Sequence, residues 1–571
     1  MGLERELISS RRVAMKKSIK EDETLPTVGI FDKKIVWAMC CSALLITLLI
    51  LPKSNYDPVS LPKFSLLVIT TWSIFLYCLY RNSLPSLQFF QSLFGTSILV
   101  FQALILFNLL FNNYALEERL FGVSGRNTGV ILYLSLATLT ILFAQVSANV
   151  SLNYFAVSIT LSNIGVCLYF LLQLLGNDIF RYTTYYGAPS STLGNPNFVS
   201  GFVGFASIAS WMLAVESKSK FRLVSLLALN VVSMFVVIKS QSIQGLFAFI
   251  GSATIFALIV LKHRNIKLFA IGCFLFLFTA TIAVLGLLGS GPLAGRLATS
   301  TLFSRFDYWR AAIAMTLDSP FVGKGLDSFG DYYREFRDLT AFKRFGESQV
   351  ADSAHNVFLD LFSNGGVPLG LVYILIQVIP ALLLTRKILN ADELDLKEVI
   401  LISVWVGFTL QSLVSVNQIG VGMWGWILAG IMYSRKNAPR ASMQSTYSFA
   451  MWVKVSVSLL LIPLTFFVSI TPLRSDAQFL SAANSADGLK LKAVALNWPL
   501  DSKRILLTSA GFSAAGYDQI ALEVSKVGVA HNARSYLLWK QIYDNKKTSV
   551  DLRMHAERVL KSLEPRFVQT P

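Results

Sequence analysis

The sequence predicts an all-α, polytopic transmembrane bundle of about 12–13 spans, with one large polar loop and a small helical C-terminal domain. Three observations predict it. Of 571 residues, 54% are hydrophobic and only 15% are charged, whereas soluble domains carry about 25% charged residues; the mean hydropathy is +0.57. Apolar runs of about twenty residues, the length that crosses a bilayer as a helix, recur through most of the chain. Lys and Arg gather between alternate runs, as membrane topology requires. The formal net charge of +17 therefore reads as a topology signal and not as a nucleic-acid-binding stripe.

Residues 1–34 form a polar arm with Arg5, Arg11, Arg12, Lys16, Lys17 and Lys20. A basic arm before the first span predicts a cytoplasmic N-terminus. No small-residue cleavage pattern follows that span, so it reads as uncleaved. Residues 35–289 hold nine apolar spans, near 35–51, 64–80, 88–111, 128–146, 152–175, 197–215, 221–238, 243–261 and 267–289. Residues 367–470 hold four more, near 367–385, 398–416, 417–433 and 450–470. The stretch with Gly420, Gly422 and Gly425 reads as two helices or as one helix and a re-entrant piece. Basic residues such as Arg81, Lys218, Lys262, Lys387, Lys397 and Arg435 fall in the predicted inner loops. That placement puts 290–366 outside as a large extracytoplasmic loop. Thirteen spans also put the tail, 471–571, outside; one fewer would bring it into the cytoplasm.

The tail turns to a charged, helix-friendly composition. Asn497-Trp-Pro499 and Ala530-His-Asn532 head two similar blocks offset by about 33 residues, near the tetratricopeptide period. This supports a short helical, tetratricopeptide-like docking domain. The five cysteines, Cys40, Cys41, Cys78, Cys167 and Cys273, lie in or beside apolar spans. They read as small buried hydrophobes, without a disulfide framework or a cysteine metal site.

The polar stretch from Arg305 to Asn364 is where chemistry is expected. His355 is the one histidine of four in this loop. Imidazole is the natural general base near neutral pH, and a hydrogen-bonded structural histidine is an equal reading. Arg126, Arg296, Arg305, Arg310, Arg334, Arg337 and Arg344 are all placed outside. A guanidinium grips phosphate oxygens in a fork and keeps its charge, so a lipid diphosphate would explain the excess. For most of them, Arg334, Arg337 and Arg344 especially, a solvated face or headgroup contact is the plainer reading. In Gly194-Asn-Pro-Asn197, Asn195 is a natural N-cap and Pro196 suits the first helical position; the outward N–H groups there suit a phosphate. Gly323-Lys-Gly325 lacks the spacing of a P-loop. There is no His-Glu-x-x-His, no Asp-x-Asp and no nucleophile elbow. Nucleotide-driven and protease chemistry are therefore disfavoured.

The run Arg305…Trp309…Pro320-x-x-Gly323-x-Gly325…Phe329, followed by Ala354-His-Asn356 and Gly365-Gly366, resembles the O-antigen ligase family. That family includes bacterial O-linked oligosaccharyltransferases and related polymerases. Leu61-Pro-Lys63, Phe121-Gly122 with Arg126, and Gly194-Asn-Pro-Asn197 are similar to its outer-side motifs. The resemblance spans roughly residues 35–470 and implies a GT-C-like membrane glycosyltransferase, inverting, metal-independent and without cofactor, in the cell's inner membrane. It implies a polyprenyl-diphosphate-linked glycan as donor and a glycolipid or protein as acceptor, as in lipopolysaccharide assembly. His355 maps to the base on the acceptor hydroxyl and Arg305 to a diphosphate ligand. Arg126, Arg310, Lys239, Asn195 and Asn197 complete the expected donor-diphosphate set, supported by Trp309, Asn356, Gly323 and Gly325. The family's second arginine, in a Ser-Arg-Gly-like motif, is missing from Lys239-Ser-Gln-Ser-Ile-Gln-Gly245; Lys239 supplies a point charge without the fork. A surface-polysaccharide polymerase using the same donor is the alternative. A transporter fits less well, because no internal repeat and few intramembrane charges are found.

Overall fold

The computed structural model describes residues 30–146, 152–180, 187–297, 300–346, 350–436 and 449–566. Among these, all regular structure is helical. Most of the predicted basic arm, residues 1–29, lies outside them. Thirteen helices occupy the predicted apolar spans: α1 (Ile30–Leu48), α2 (Ser60–Tyr80), α3 (Leu93–Phe111), α5 (Val130–Val146), α6 (Asn153–Leu174), α7 (Pro196–Ala209, prolonged by Trp211–Val215), α8 (Lys220–Lys239), α9 (Gln244–Arg264), α10 (Ile266–Leu287), α14 (Val357–Leu389), α15 (Leu396–Ser412), α16 (Ile419–Lys436) and α17 (Met451–Asn484). Helices α4 (Leu116–Phe121), α11 (Ser300–Asp318), α12 (Phe329–Phe336) and α13 (Leu339–Phe345) build the polar connections. The tail is α18 (Gly488–Ala495), α19 (Ser502–Ala514), α20 (Asp518–His531), α21 (Tyr536–Asp544) and α22 (Val550–Leu563).

Among the described residues, nine helices are long and apolar enough to cross a membrane: α2, α3, α6, α7 with its prolongation, α8, α9, α10, α14 and α17. This is fewer than the 12–13 that hydropathy predicts. Part of the difference is length, since α5 and α15 have 17 residues each, short of the roughly 20 that a bilayer asks for. The 398–433 stretch is two helices, α15 and α16, joined by a short turn. The last predicted span and the start of the tail are one helix, α17, which runs through residue 470 to Asn484.

Small residues let the helices of the bundle approach closely. A Cβ on Gly204 of α7 would sit 2.4 Å from the carbonyl oxygen of Gly245 in α9. Such close backbone approach is a usual basis of helix association where lipid removes the hydrophobic drive. At the end of α1, the buried Lys63 of α2 donates to the carbonyls of Ile46 and Thr47 at 2.9 and 2.7 Å. It thereby satisfies carbonyls that the helix end leaves open.

The bundle has two chemically distinct ends. At one end the chain turns at Asn55–Ser60, Gly122–Thr128, Gly194–Asn197 and Ser240–Gln244, and both the 290–356 loop and the tail sit there. Ser60 Oγ donates to the Gly125 carbonyl at 2.7 Å, and Asp57 N to Asp476 Oδ2 at 3.0 Å. At the other end Lys397 pairs with Glu216 at 2.5 Å, Lys387 with Glu398 at 2.7 Å, and Lys454 donates to the Tyr80 carbonyl at 3.1 Å.

The tail docks on the loop. Asn532 donates to Asp331 and Glu118 at 2.7 and 3.1 Å, and Trp498 stacks on Phe467 at 5.2 Å. Arg337 pairs with Glu564, and Arg334 lies over the Tyr536 ring at 4.2 Å. Arg334 and Arg337 are buried, at 3% and 1% exposed. The solvated-face reading of these two is thus corrected: the tail supplies the acid and the aromatic ring that cover them.

The Pro320-x-x-Gly-x-Gly run is explained by a break in α14. Gly366 leaves helical geometry at φ +82°, and the Val367 amide bonds to the Pro320 carbonyl at 2.7 Å. The amides of Lys324 and Gly325 reach the Ser363 and Asn364 carbonyls, both at 2.9 Å. Gly323 has φ +69°, and a Cβ there would meet the Asn364 backbone at 2.5 Å. Gly323→Ala therefore combines a left-handed backbone with a backbone clash. We expect it to cost about 1–3 kcal/mol, read as a lowered melting temperature in detergent. Gly511→Ala, with nothing within 4 Å, should leave melting unchanged or raise it.

Candidate active site

His355 sits in the turn between the polar loop and α14, and several bonds hold that turn. Asn356 caps α14: its Oδ1 accepts from the amides of Phe358 and Leu359 at 3.0 and 3.1 Å. Asp360, one turn on, accepts from the Ala354 amide at 2.8 Å. Ser353 Oγ accepts from the His355 amide at 3.1 Å. The His355 backbone has φ +50°, the left-handed region that histidine, asparagine and aspartate tolerate better than most residues. Asn127 and Asp327, at φ +55° and +60°, lie in the same cluster. Strained backbone of this kind is held where the surroundings over-determine it.

The half-buried imidazole stacks on Tyr308 of α11 at 5.5 Å and 30°. Tyr308, Ala311, Ala312 and Met315 of α11 pack with Phe329 and Tyr333 into a small apolar core. The imidazole is therefore seated on a packed element. Burial pushes its pKa down to about 4; Arg305 and Arg126 push the same way and Asp352 opposes. At neutral pH the ring is uncharged and able to take a proton.

The two arginines differ in what already holds them. Arg126 Nε pairs with Asp327 at 2.9 Å and Nη2 approaches Asp360 at 3.7 Å, while Nη1 bonds to the Asp352 carbonyl. Burial alone would lower its pKa, but Asp327, Asp360 and Asp352 raise it above the ordinary arginine value. Asp327 also accepts from the amides of Val123 and Thr128 at 2.8 and 3.2 Å, which fixes the Gly122–Thr128 turn. Arg305 is 7% exposed. Among the described residues it has no ion pair and no hydrogen bond. Burial lowers its pKa from the usual value, though an arginine stays charged. A buried cation without a counter-ion is costly, and an anionic ligand would relieve it.

The other predicted residues divide. Arg310 pairs with Asp307 and, at 2.7 Å, with Asp338, on a half-exposed face. Arg344 shares Asp307 at 2.7 Å. Asn195 caps α7 by accepting from the Asn197 amide at 2.8 Å, with Pro196 in the first turn. Lys239 is exposed at the end of α8, 5.7 Å from the Phe235 ring. Asn195, Asn197 and Lys239 share the loop end of the bundle, since Ser200 Oγ bonds to the Ser242 carbonyl at 2.9 Å. Trp309 packs edge-on against Phe306 at 5.4 Å. Gly323 and Gly325 hold the break in α14.

Sequence reasoning missed Asp327, Asp360 and Tyr308. Asp360 had a signal: it is a lone acid inside the apolar run Val357-Phe-Leu-Asp-Leu-Phe362. Asn356→Ala should cost about 1 kcal/mol of stability through the lost cap and displace His355. Asn356→Asp, which can cap equally well, should restore both melting temperature and activity. Equal activity of all three proteins would sink this role.

Residues 199–374 match the model of the O-antigen ligase family. No curated protein matches the chain. The matched stretch runs from α7 into α14 and contains Lys239, Arg305, Trp309, Arg310, Gly323, Gly325, His355 and Asn356. Arg126, Asn195 and Asn197 precede it, and the tail lies beyond it. Residues 199–374 are therefore an O-antigen ligase family domain, in a chain whose described residues include nine helices long and apolar enough to cross a membrane.

Proposed function

We propose that the protein is a membrane glycosyltransferase that moves a glycan from polyprenyl diphosphate to an acceptor hydroxyl. The observation that carries the reading is the pairing of an uncharged imidazole, His355, with a buried guanidinium, Arg305, that has no counter-ion among the described residues. In the reaction the acceptor oxygen attacks the sugar carbon bonded to the diphosphate. The carbon–oxygen bond to the diphosphate breaks and its electron pair leaves with the phosphate. His355 takes the hydroxyl proton as general base. Arg305 holds the departing diphosphate, where preorganised positive charge has its largest effect. Arg126 is already engaged by Asp327 and Asp360, so it acts as a strut. Arg310 likewise stays with its own carboxylates.

The loop end of the bundle faces away from the cytoplasm in this reading. Lys387, Lys397, Arg435 and Lys454 gather at the opposite end, in keeping with the positive-inside rule. The contacts at both ends also support thirteen crossings, because successive spans start at alternating ends. Thirteen crossings put the N-terminus opposite the loop and the tail beside it.

His355→Ala should lose roughly 10²–10⁴-fold in transfer, and Arg305→Lys about 10²-fold, both with unchanged size-exclusion profiles. The assay is transfer of labelled glycan from polyprenyl diphosphate by the purified protein. A wild-type rate for His355→Ala would end the proposal. Lengthened lipid-linked glycan as the sole product would assign a polymerase instead.

The imidazole pKa of about 4 sets the pH dependence. The base is uncharged above that value, so kcat/KM should hold from neutrality down to about pH 5 and fall near pH 4. An acid limb at the ordinary histidine pKa of about 6.5 would show that the imidazole is not buried as described. The same shift acts on stability. The unfolded chain takes up this proton at higher pH than the folded chain, so folding weakens as pH falls from about 6.5 towards 4.

A further inference from the structure

A cleft of about 790 Å³, its open mouth included, lies between the polar loop and the tail. Its interior volume is about 180 Å³. Its floor is Arg126, Asp327 and Asp352, and Asp352 is three residues from His355. Its walls come from the tail: Ser502 and Leu506 of α19, and Tyr536 and Leu537 of α21. Leu537 and Val350 are 44% and 42% exposed, so apolar surface faces the opening.

The lining discriminates against anions. Glu118, Asp327, Asp331 and Asp352 all contribute to it. Arg126 is held by ion pairs with Asp327 and Asp360 and by a hydrogen bond to the Asp352 carbonyl. Arg334 is covered by Tyr536 and approaches Glu564 at 3.9 Å. A diphosphate would meet four carboxylates, no vacant guanidinium and a single exposed ammonium, Lys503. An uncharged polyhydroxylated ligand would meet carboxylates that accept from its hydroxyls, and aromatic and aliphatic side chains for its C–H faces.

Resting on the transfer reading above, we propose that this cleft is the acceptor subsite and takes an uncharged saccharide unit, with the tail forming its outer wall. The donor diphosphate and the acceptor sugar then have separate places. The diphosphate goes to Arg305, and the sugar goes to the cleft beyond Arg126. The tail is thereby part of the substrate-binding machinery.

The first test does not depend on transfer. Leu537→Cys in the full-length protein is labelled with a maleimide, with wild type as background. A panel of uncharged hexose and N-acetylhexosamine disaccharides should slow labelling at least threefold at millimolar concentration, and inorganic pyrophosphate should not. Protection by pyrophosphate alone, or by nothing in the panel, overturns the proposal. The second test is kinetic. Leu537→Arg, which crowds the opening from an exposed position, should raise the acceptor KM about tenfold and leave the donor KM unchanged. A raised donor KM with the acceptor KM unmoved overturns the assignment, as does no change in either. A wild-type protein that transfers no glycan but shows saccharide protection would sink the transfer reading while leaving the cleft's ligand class standing.

Discussion

Arg126 is the constraint on which the site depends. It is a buried guanidinium joined to Asp327 of the polar loop, to Asp360 of α14 and to the backbone of Asp352. Removing one partner of such a group leaves an uncompensated charge, a loss of about 3–5 kcal/mol. Each carboxylate also holds backbone: Asp327 takes the amides of Val123 and Thr128, and Asp360 takes that of Ala354. Three segments that are far apart in sequence are therefore set relative to one another by one cation. The left-handed turn at His355 is part of the assembly it closes.

The same logic explains why the polar loop and the tail form one unit. The loop's own apolar core is small, built on Tyr308, Phe329 and Tyr333 with a few alanines and a methionine. Its half-buried Asp331 and buried Arg334 and Arg337 find partners on the tail, in Asn532, Tyr536 and Glu564. Burial and the neighbouring Glu118 push Asp331 up to about 6, the mark of an acid that has lost its water. Without the tail these groups would face solvent, and the cleft above Arg126 would have no outer wall.

Much of this was legible in the sequence, because it is local. Apolar length located thirteen helices, the Asn-Pro pair located the start of α7, and one polar stretch located the loop. The glycines at 323, 325 and 366 are explained by a close backbone contact that the sequence reading did not anticipate. What could not be read is pairing. Arg126, Arg305, Arg310, Arg334 and Arg337 look alike in a sequence, each one a unit of positive charge outside the bundle. Their partners are up to some two hundred residues away, as with Arg337 and Glu564, so a count of charges does not say which cation is spare. Nor does an apolar run fix the length and hydropathy of the helix that forms: α5 has 17 residues, and α16 ends in Ser434-Arg-Lys436.

The spare cation has a consequence for how the proposed base would work. In the unliganded protein His355 is a weak base, since burial and two nearby guanidinium groups all disfavour its protonated form. A bound diphosphate brings negative charge to the same side and opposes the field of Arg305. Opposite charge nearby favours the imidazolium, so in the proposed reaction donor binding would raise the basicity of His355. Deprotonation of the acceptor is then favoured when a donor is in place to be attacked. The coupling needs no moving part. In the proposed reaction it follows from seating a neutral imidazole beside a buried cation that the donor would neutralise, and from giving the other cation, Arg126, carboxylate partners of its own.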